Sequence, residues 1–79
     1  MMKIIEIDIK RLNEDKYDYL NELFSFPEYF GNNLDALYDV LSEKESFGVI
    51  YSDITKADDY SKRIIKVINM IIRDNYLSE

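Results

Sequence analysis

Two acidic residues, Asp35 and Asp39, have a spacing that brings their carboxylates together. They are four residues apart on a predicted helix, so they lie on one face, one turn apart. Like charges at this spacing destabilise an isolated helix by about 0.2–0.5 kcal/mol. Tyr38 lies beside Asp39, and Tyr29 and Phe30 precede the helix in a predicted exposed loop. Acids surrounded by aromatic side chains favour a protein-binding surface, because the aromatics supply contact area and the acids steer a basic partner.

The same carboxylates have little support as a catalytic or metal site. Asp35 and Asp39, or Glu28, could form a carboxylate pair of the kind used by glycosidases, and two helix carboxylates could bind a divalent cation weakly. The chain has no cysteine and no histidine, which excludes disulfides, thiol catalysis, histidine acid–base chemistry and the usual zinc sites. It also has no glycine-rich phosphate loop and no calcium-loop pattern. We therefore expect a protein that is not an enzyme and that uses no cofactor and no metal.

The net charge of this 79-residue chain is concentrated in its middle third. The chain has 16 acids and 10 bases, a net charge of −6, and residues 13–45 hold nine of the acids but only two of the bases. Such a field raises encounter rates with a basic partner and weakens with salt. It disfavours nucleic acid as a direct partner, because phosphate binding needs a basic patch. The simpler alternative is an acidic surface that only keeps the protein soluble.

No segment predicts export or membrane insertion. Acids interrupt the apolar residues at the start of the chain, which excludes a signal peptide. The longest apolar stretch, residues 64–72, contains Lys66 and Asn69 and is too short to span a bilayer. With 47% hydrophobic and 33% charged residues, we expect one soluble, cytoplasmic globular domain over residues 1–79.

The first elements follow from hydrophobic spacing and from the caps. Alternating apolar residues predict a strand over residues 3–10. Asn13 is expected to cap a first helix, which Pro27 ends near Ser25. In the loop that follows, Gly31 is expected to adopt a positive φ.

The acidic residues lie on the second predicted helix. Asn32 or Asn33 is expected to cap this helix, which continues to about Ser42. Its predicted core residues, at spacings of three and four, are Leu34, Leu37 and Leu41.

A strand over Phe47–Asp53 and a third helix to about Asn75 complete the order, with Thr55 and Asp58 as a capping box. Strands separated by helices predict parallel pairing by crossover. We therefore expect a small two-layer α/β domain, in which three helices pack on one face of a short parallel sheet of two or three strands.

The segment that carries the acids resembles a known signature. Residues 26–41 read Phe-Pro-Glu-Tyr-Phe-Gly-Asn-Asn-Leu-Asp-Ala-Leu-Tyr-Asp-Val-Leu. This is similar to the barstar family pattern of Pro-Glu-Tyr, an aromatic, Gly, two polar residues, Leu-Asp-Ala-Leu, an aromatic, Asp and two apolar residues. Members of that family are intracellular inhibitors of barnase-type ribonucleases. Their fold, a parallel three-stranded sheet packed by helices, agrees with the order predicted above.

The resemblance implies that the second helix and its preceding loop block a ribonuclease active site. Acids there mimic RNA phosphates, with Asp39 as the main mimic and Asp35 as the second acidic contact. Tyr29 is implied to pack on the enzyme's catalytic histidine, Tyr38 to take the place of a contacting aromatic, and Asn33 to be a polar contact. The partner is then a basic, extracellular-type ribonuclease.

Several positions depart from the family pattern. Tyr38 stands where the best-known members have Trp, and residues 43–45 are Glu-Lys-Glu where apolar or aromatic contacts occur. The family's third-helix acid has no clear counterpart, since Met70 aligns with it and Asp74 follows one turn later. We include Phe30, Glu43 and Asp74 among the expected partner contacts. These departures leave a second hypothesis open, a barstar-like immunity protein for a different basic protein or toxin.

The sequence ends where the family's last strand begins, which predicts an open edge on the strand at Phe47–Asp53. An open edge invites pairing with another chain. Either a minimal strand around Tyr76–Ser78 or a homodimer would then cover it.

Overall fold

A computed structural model describes residues 3–28, 30–44 and 47–77 of the protein. The strands and α-helices are β1 (Lys3–Ile7), α1 (Ile9–Asp15), α2 (Tyr17–Phe24), α3 (Leu34–Ser42), β2 (Phe47–Tyr51) and α4 (Asp59–Ile71). A 3-10 turn at Ile54–Lys56 precedes α4, and a π-helical segment at Ile72–Leu77 follows it. The two strands pair in parallel, with Lys3 opposite Phe47 and Ile7 opposite Tyr51. The predicted α/β class with a short parallel sheet is confirmed.

The helices cover one face of the sheet. Ile5 and Ile7 point into the core, whereas Ile4 and Ile50 on the other face are more than half exposed. This alternation is the consequence of successive strand side chains pointing to opposite faces. The centre of the core consists of fully buried aliphatic side chains from all four α-helices: Ile9, Leu12, Leu20, Leu37, Leu41, Ile64, Ile68 and Ile71.

The predicted strand over residues 3–10 is too long. β1 ends at Ile7, and Asp8 caps α1 by accepting a hydrogen bond from the backbone N–H of Lys10 at 3.0 Å. Ile9 is buried as expected, but it is buried from a helix, together with Leu12 at spacing three. The alternation of Ile9 with its neighbours is compatible with a strand or with the start of a helix. The Asp8 cap favours the helix.

The predicted first helix is two helices, so the described chain has four α-helices where three were expected. Asn13, the expected cap, lies inside α1, and its side chain instead bonds the carbonyl of Lys56 and the N–H of Asp58. The break falls at Lys16, which has a φ of 48°. Its ammonium bonds the Asn13 carbonyl at 2.9 Å, Asp58 at 2.6 Å and the Ser61 hydroxyl at 3.1 Å. These contacts hold a conformation that non-glycine residues rarely adopt.

The second half of the chain needs smaller corrections. β2 ends at Tyr51 rather than at Asp53. The predicted capping box is wrong, because Thr55 lies in the 3-10 turn and bonds Asp53, while Asp58 alone caps α4 through the N–H of Ser61 at 2.8 Å. The long third helix is confirmed as α4 with its π-helical continuation.

The minimal third strand expected around Tyr76–Ser78 is wrong as far as Leu77, because the backbone there is still helical. The segment follows directly on α4, whose buried residues include Ile64, Ile68 and Ile71. Ser78 lies outside the described residues. None of the described helices is long and apolar enough to cross a membrane.

Candidate protein-binding site

Helix α3 has one buried face and one acidic face. Leu37 and Leu41 are fully buried, and the helix packs against α4. Asp35 and Asp39 are exposed on the opposite side. Since α3 is anchored by leucines at spacing four, the positions of the two aspartates are fixed by the core.

The start of α3 is fixed by Asn33, one of the two expected caps. Its side-chain oxygen accepts from the N–H of Ala36 at 2.8 Å, and its amide nitrogen donates to the carbonyl of Gly31 at 3.2 Å. The positive φ expected at Gly31 is wrong, since it is Asn32 that has a φ of 51°. Glycine is favoured at position 31 for a steric reason instead, because a Cβ there would lie only 3.0 Å from the Asn33 amide nitrogen.

The loop before α3 is held by stacked aromatic rings. Phe30 is half-buried, stacks on Phe26 at 4.2 Å between ring centroids, and meets Tyr17 edge-on at 5.6 Å. Its backbone N–H also bonds the carbonyl of Pro27 at 3.0 Å. Phe30 therefore anchors the loop to the core, although part of its ring stays accessible. Tyr29 lies outside the described residues.

The acidic face continues past the two aspartates. Glu43 follows Asp39 by four residues and is exposed at the end of α3, so Asp35, Asp39 and Glu43 form one line along the helix. We call this line the acidic face of α3. No carboxylate in it pairs with a base anywhere in the described part of the chain. Tyr38, 37% exposed, borders the line on the solvent side.

The two bases of the acidic middle third have other partners. The Lys44 ammonium bonds the carbonyl of Phe24 at 2.7 Å and that of Ser25 at 3.4 Å, at the end of α2. A cation at a helix C-terminus is favourable, because the unpaired carbonyls there carry partial negative charge. Lys16 is engaged with Asp58. Neither base neutralises the acidic face of α3, a point that charge counting over residues 13–45 could not establish.

The profile of the family described as Barstar (barnase inhibitor) matches residues 2–75. This chain belongs to the barstar family. A comparison with curated proteins and a comparison with solved structures each return no match.

The barstar match covers nearly the whole chain, and with it the loop and the acidic face of α3. Asn33, Asp35, Tyr38, Asp39 and Glu43 all lie on or next to this one helix. Asp74, also expected to contact the partner, lies on the separate π-helical segment, where its carboxylate meets the guanidinium of Arg73 at 3.4 Å. Within the described residues, no group of three or more carboxylates is arranged to hold a metal ion.

Proposed function

We propose that this barstar-family protein inhibits a basic, barnase-type ribonuclease by covering its active site with the acidic face of α3 and the preceding loop. The observation that carries the proposal is the line of three exposed carboxylates, which pair with no base among the described residues, on a helix anchored to the core. A ribonuclease must bind the phosphates of RNA with positively charged side chains. The same side chains would also bind carboxylates. Asp39 is the central phosphate mimic, with Asp35 beside it.

The surface is organised before any partner binds. Leu37 and Leu41 fix the rotation of α3, Asn33 fixes its first turn, and the stacked Phe30 fixes the loop. A preorganised surface loses less conformational freedom on binding, so more of the interaction energy appears as affinity. This geometry is why we assign the α3 carboxylates to a partner rather than to solvation alone.

Further partner contacts are proposed either from their position on this surface or from the family resemblance. Tyr38 supplies an exposed aromatic next to Asp39, and Glu43 extends the acids toward the end of the helix. Tyr29 and Asp74 are proposed contacts on the resemblance to the family alone. The same resemblance supports action in the cytoplasm and no catalytic activity of the protein itself.

A second candidate is an immunity protein for a different basic protein or toxin. Tyr38 in place of Trp offers less aromatic area, and Glu43 places charge where the family has apolar contacts. Both changes alter what the surface would recognise while leaving its charge complementary to a basic partner.

The test is an RNA-cleavage titration with a barnase-type ribonuclease, best taken from the same organism. Wild type, Asp39→Ala and Glu14→Ala are compared at two salt concentrations. Glu14→Ala is the matched control, because it removes one exposed acid from α1 and leaves α3 unchanged. We expect stoichiometric inhibition by the wild type and the control, weakened by salt and strongly weakened in Asp39→Ala.

Two results would change the assignment. Absence of inhibition by the folded protein at micromolar concentration would reject the ribonuclease and leave the second candidate. RNA cleavage by the protein alone would contradict the absence of catalysis.

A further inference from the structure

Three aromatic rings connect helix α4 to the loop before α3. Tyr60 lies in the first turn of α4, and its ring meets that of Tyr17 edge-on at 5.9 Å between centroids. The two hydroxyls share a hydrogen bond, in which either hydroxyl can be the donor. Tyr17 in turn meets Phe30 edge-on at 5.6 Å. A residue of α4 is therefore linked, through the first residue of α2, to the loop of the proposed binding surface.

Tyr17 is the buried member of this series. It is 9% exposed and begins α2, directly after the break at Lys16. Burial raises the pKa of its hydroxyl, and the hydrogen bond with Tyr60 raises that pKa further, so the group stays protonated at neutral pH. A buried hydroxyl that lost its hydrogen-bond partner would cost free energy. Tyr60 supplies the partner, and its hydroxyl thereby fixes the end of the Tyr17 ring that is farthest from the backbone.

The contact with Tyr17 determines where the end of the loop lies relative to the helices. Phe26, near the start of the loop, stacks on Phe24 of α2 at 6.2 Å. Phe30, near its end, makes two ring contacts among the described residues, with Phe26 and with Tyr17. The Phe30 N–H bonds the carbonyl of Pro27, which also belongs to the loop. Tyr17 is therefore the residue that joins the Phe30 ring directly to a helix.

The acidic face of α3 is anchored by other residues than the loop. Leu37 and Leu41 are fully buried and hold the helix in the core, and neither belongs to the aromatic series. Between Phe30 and the helix the chain turns at Asn32, which has a φ of 51°. A displacement of Phe30 can therefore move the loop while the aspartates stay in place. The loop and the acidic face keep a fixed relative position only while both anchors hold.

We propose that Tyr60 is a positioning residue of the binding surface, which acts through Tyr17 and Phe30 to hold the loop in place relative to the acidic face of α3. This inference rests on the proposed function, because it concerns the affinity of the same surface. The partner contacts the loop and α3 together, so a loop that first has to be repositioned lowers the affinity. Tyr60 itself makes no contact with the partner in this arrangement.

A role for Tyr60 in stability alone leads to a different expectation. Asp58 caps the same first turn of α4, and its side chain bonds Lys16 and Ser61 rather than the three rings. If inhibition depended only on the stability of this turn, replacing Asp58 and replacing Tyr60 would weaken inhibition alike. If Tyr60 positions the loop, only its own replacement weakens inhibition, and the effect disappears once Phe30 has been replaced.

The experiment measures inhibition of the barnase-type ribonuclease by the wild type and five variants, at a temperature where urea unfolding shows each to be folded. The variants are Tyr60→Leu, Tyr60→Phe, Phe30→Leu, the double variant Tyr60→Leu/Phe30→Leu, and Asp58→Asn as the matched control. Tyr60→Phe keeps the ring and removes only the hydroxyl. A second measurement needs no ribonuclease. Residual dipolar couplings of the backbone amides in the free chain report the orientation of Gly31 and Asn32 relative to α3.

We expect Tyr60→Leu to weaken inhibition about three- to tenfold and Tyr60→Phe to weaken it less. When Phe30 is already leucine, Tyr60→Leu should change inhibition by no more than about twofold. Asp58→Asn should inhibit like the wild type. The dipolar couplings of Gly31 and Asn32 should change in Tyr60→Leu, whereas those of α3 should not.

The positioning role is overturned by any of four results. These are full inhibition by Tyr60→Leu, equal effects of Tyr60→Leu with and without Phe30, equal weakening by Asp58→Asn, and unchanged dipolar couplings in the loop. Equal effects in both backgrounds would mean that Tyr60 contacts the partner itself. If the wild type does not inhibit but the couplings change as expected, the proposed ribonuclease function fails and the positioning of the loop by Tyr60 stands.

Discussion

Asp39 on α3 and Asp58 at the start of α4 are the same residue type in opposite roles. Asp58 accepts hydrogen bonds from the Ser61 N–H and from the Lys16 ammonium, and the Lys16 bond lowers the pKa of its carboxyl to about 2. Asp39 makes no side-chain hydrogen bond and no ion pair with any described residue. One carboxylate helps to join α4 to the turn between α1 and α2. The other is held in place by its helix while its charge stays available.

The contrast extends to the neighbouring charges. Asp53, like Asp58, has partners within the fold, and a hydrogen bond from the Thr55 hydroxyl lowers the pKa of its carboxyl. Lys16 and Lys44 are used inside the fold as well. The acids of α3 take no part in these ion pairs among the described residues. Their charges therefore remain available to a basic partner. Substitutions of the α3 acids should therefore change partner binding, whereas substitutions of the internally bonded charges should change the stability of the fold.

The largest expected effect is on binding. Asp39→Ala should weaken ribonuclease inhibition by about 2–5 kcal/mol, because it leaves the partner's bases desolvated without their charge partner. For comparison, the coupling energies measured for close charge pairs of barnase with barstar are about 1.5–7 kcal/mol. The Tm should not fall, since the Asp39 carboxylate has no ion-pair partner in the described part of the chain. Titration of RNA cleavage and a thermal melt of the same variant check both parts, and a lower Tm would remove the contrast with Asp58.

Asp58→Asn should give the reverse result. Asparagine keeps the cap of α4 but loses the charge that pairs with Lys16. The folded pKa of about 2 lies below the ordinary 3.8, so the charge stabilises the protein fully above about pH 4 and this contribution is lost as the pH falls toward 2.

Thermal melts between pH 2 and 6 test this. The variant should have a lower Tm near neutral pH, and the difference from wild type should shrink on acidification. Its inhibition at neutral pH, well below the Tm, should equal that of wild type. A difference in Tm that does not change with pH would show that the charge of Asp58 is not the cause.

Asn33→Ala should affect both properties, because Asn33 belongs to both the fold and the surface. Loss of its bond to the Ala36 N–H should destabilise the protein by about 0.5–2 kcal/mol. Inhibition should weaken too, since the first turn of α3 carries Asp35. Urea unfolding measures the first effect, and Asn33→Ser, which retains a capping oxygen, should recover most of it. If Asn33→Ser melts like the alanine variant, the cap is not what holds this turn.

The smallest expected effect is a gain in stability. Asp39→Asn removes like-charge repulsion from Asp35 and Glu43, each of which is four residues away in the sequence. We expect about 0.2–0.5 kcal/mol at low salt, diminishing as salt is added. Urea unfolding at two salt concentrations gives the comparison. A loss of stability would mean that Asp39 does have a structural role.

The acidic helix was predictable in detail because its signals are local. The spacing of Leu37 and Leu41, the Asn33 cap and the aspartates at spacing four all lie within ten residues, and α3 follows them. The break between α1 and α2 was not predicted because two of the contacts that hold it are distant in sequence. The break at Lys16 is held by Asp58 and Ser61, more than forty residues away.

The sequence by itself determined the α/β order, the buried face of each main helix, the concentration of acid in the middle third and the barstar resemblance, because each is a matter of residue type and short-range period. Only the tertiary structure decided which charges remain available. Lys16 and Lys44 bond carbonyls and a carboxylate on other elements, whereas the acids of α3 form no ion pair with any base that the structure describes. Composition records the number of charges, but long-range packing determines which of them a partner can reach.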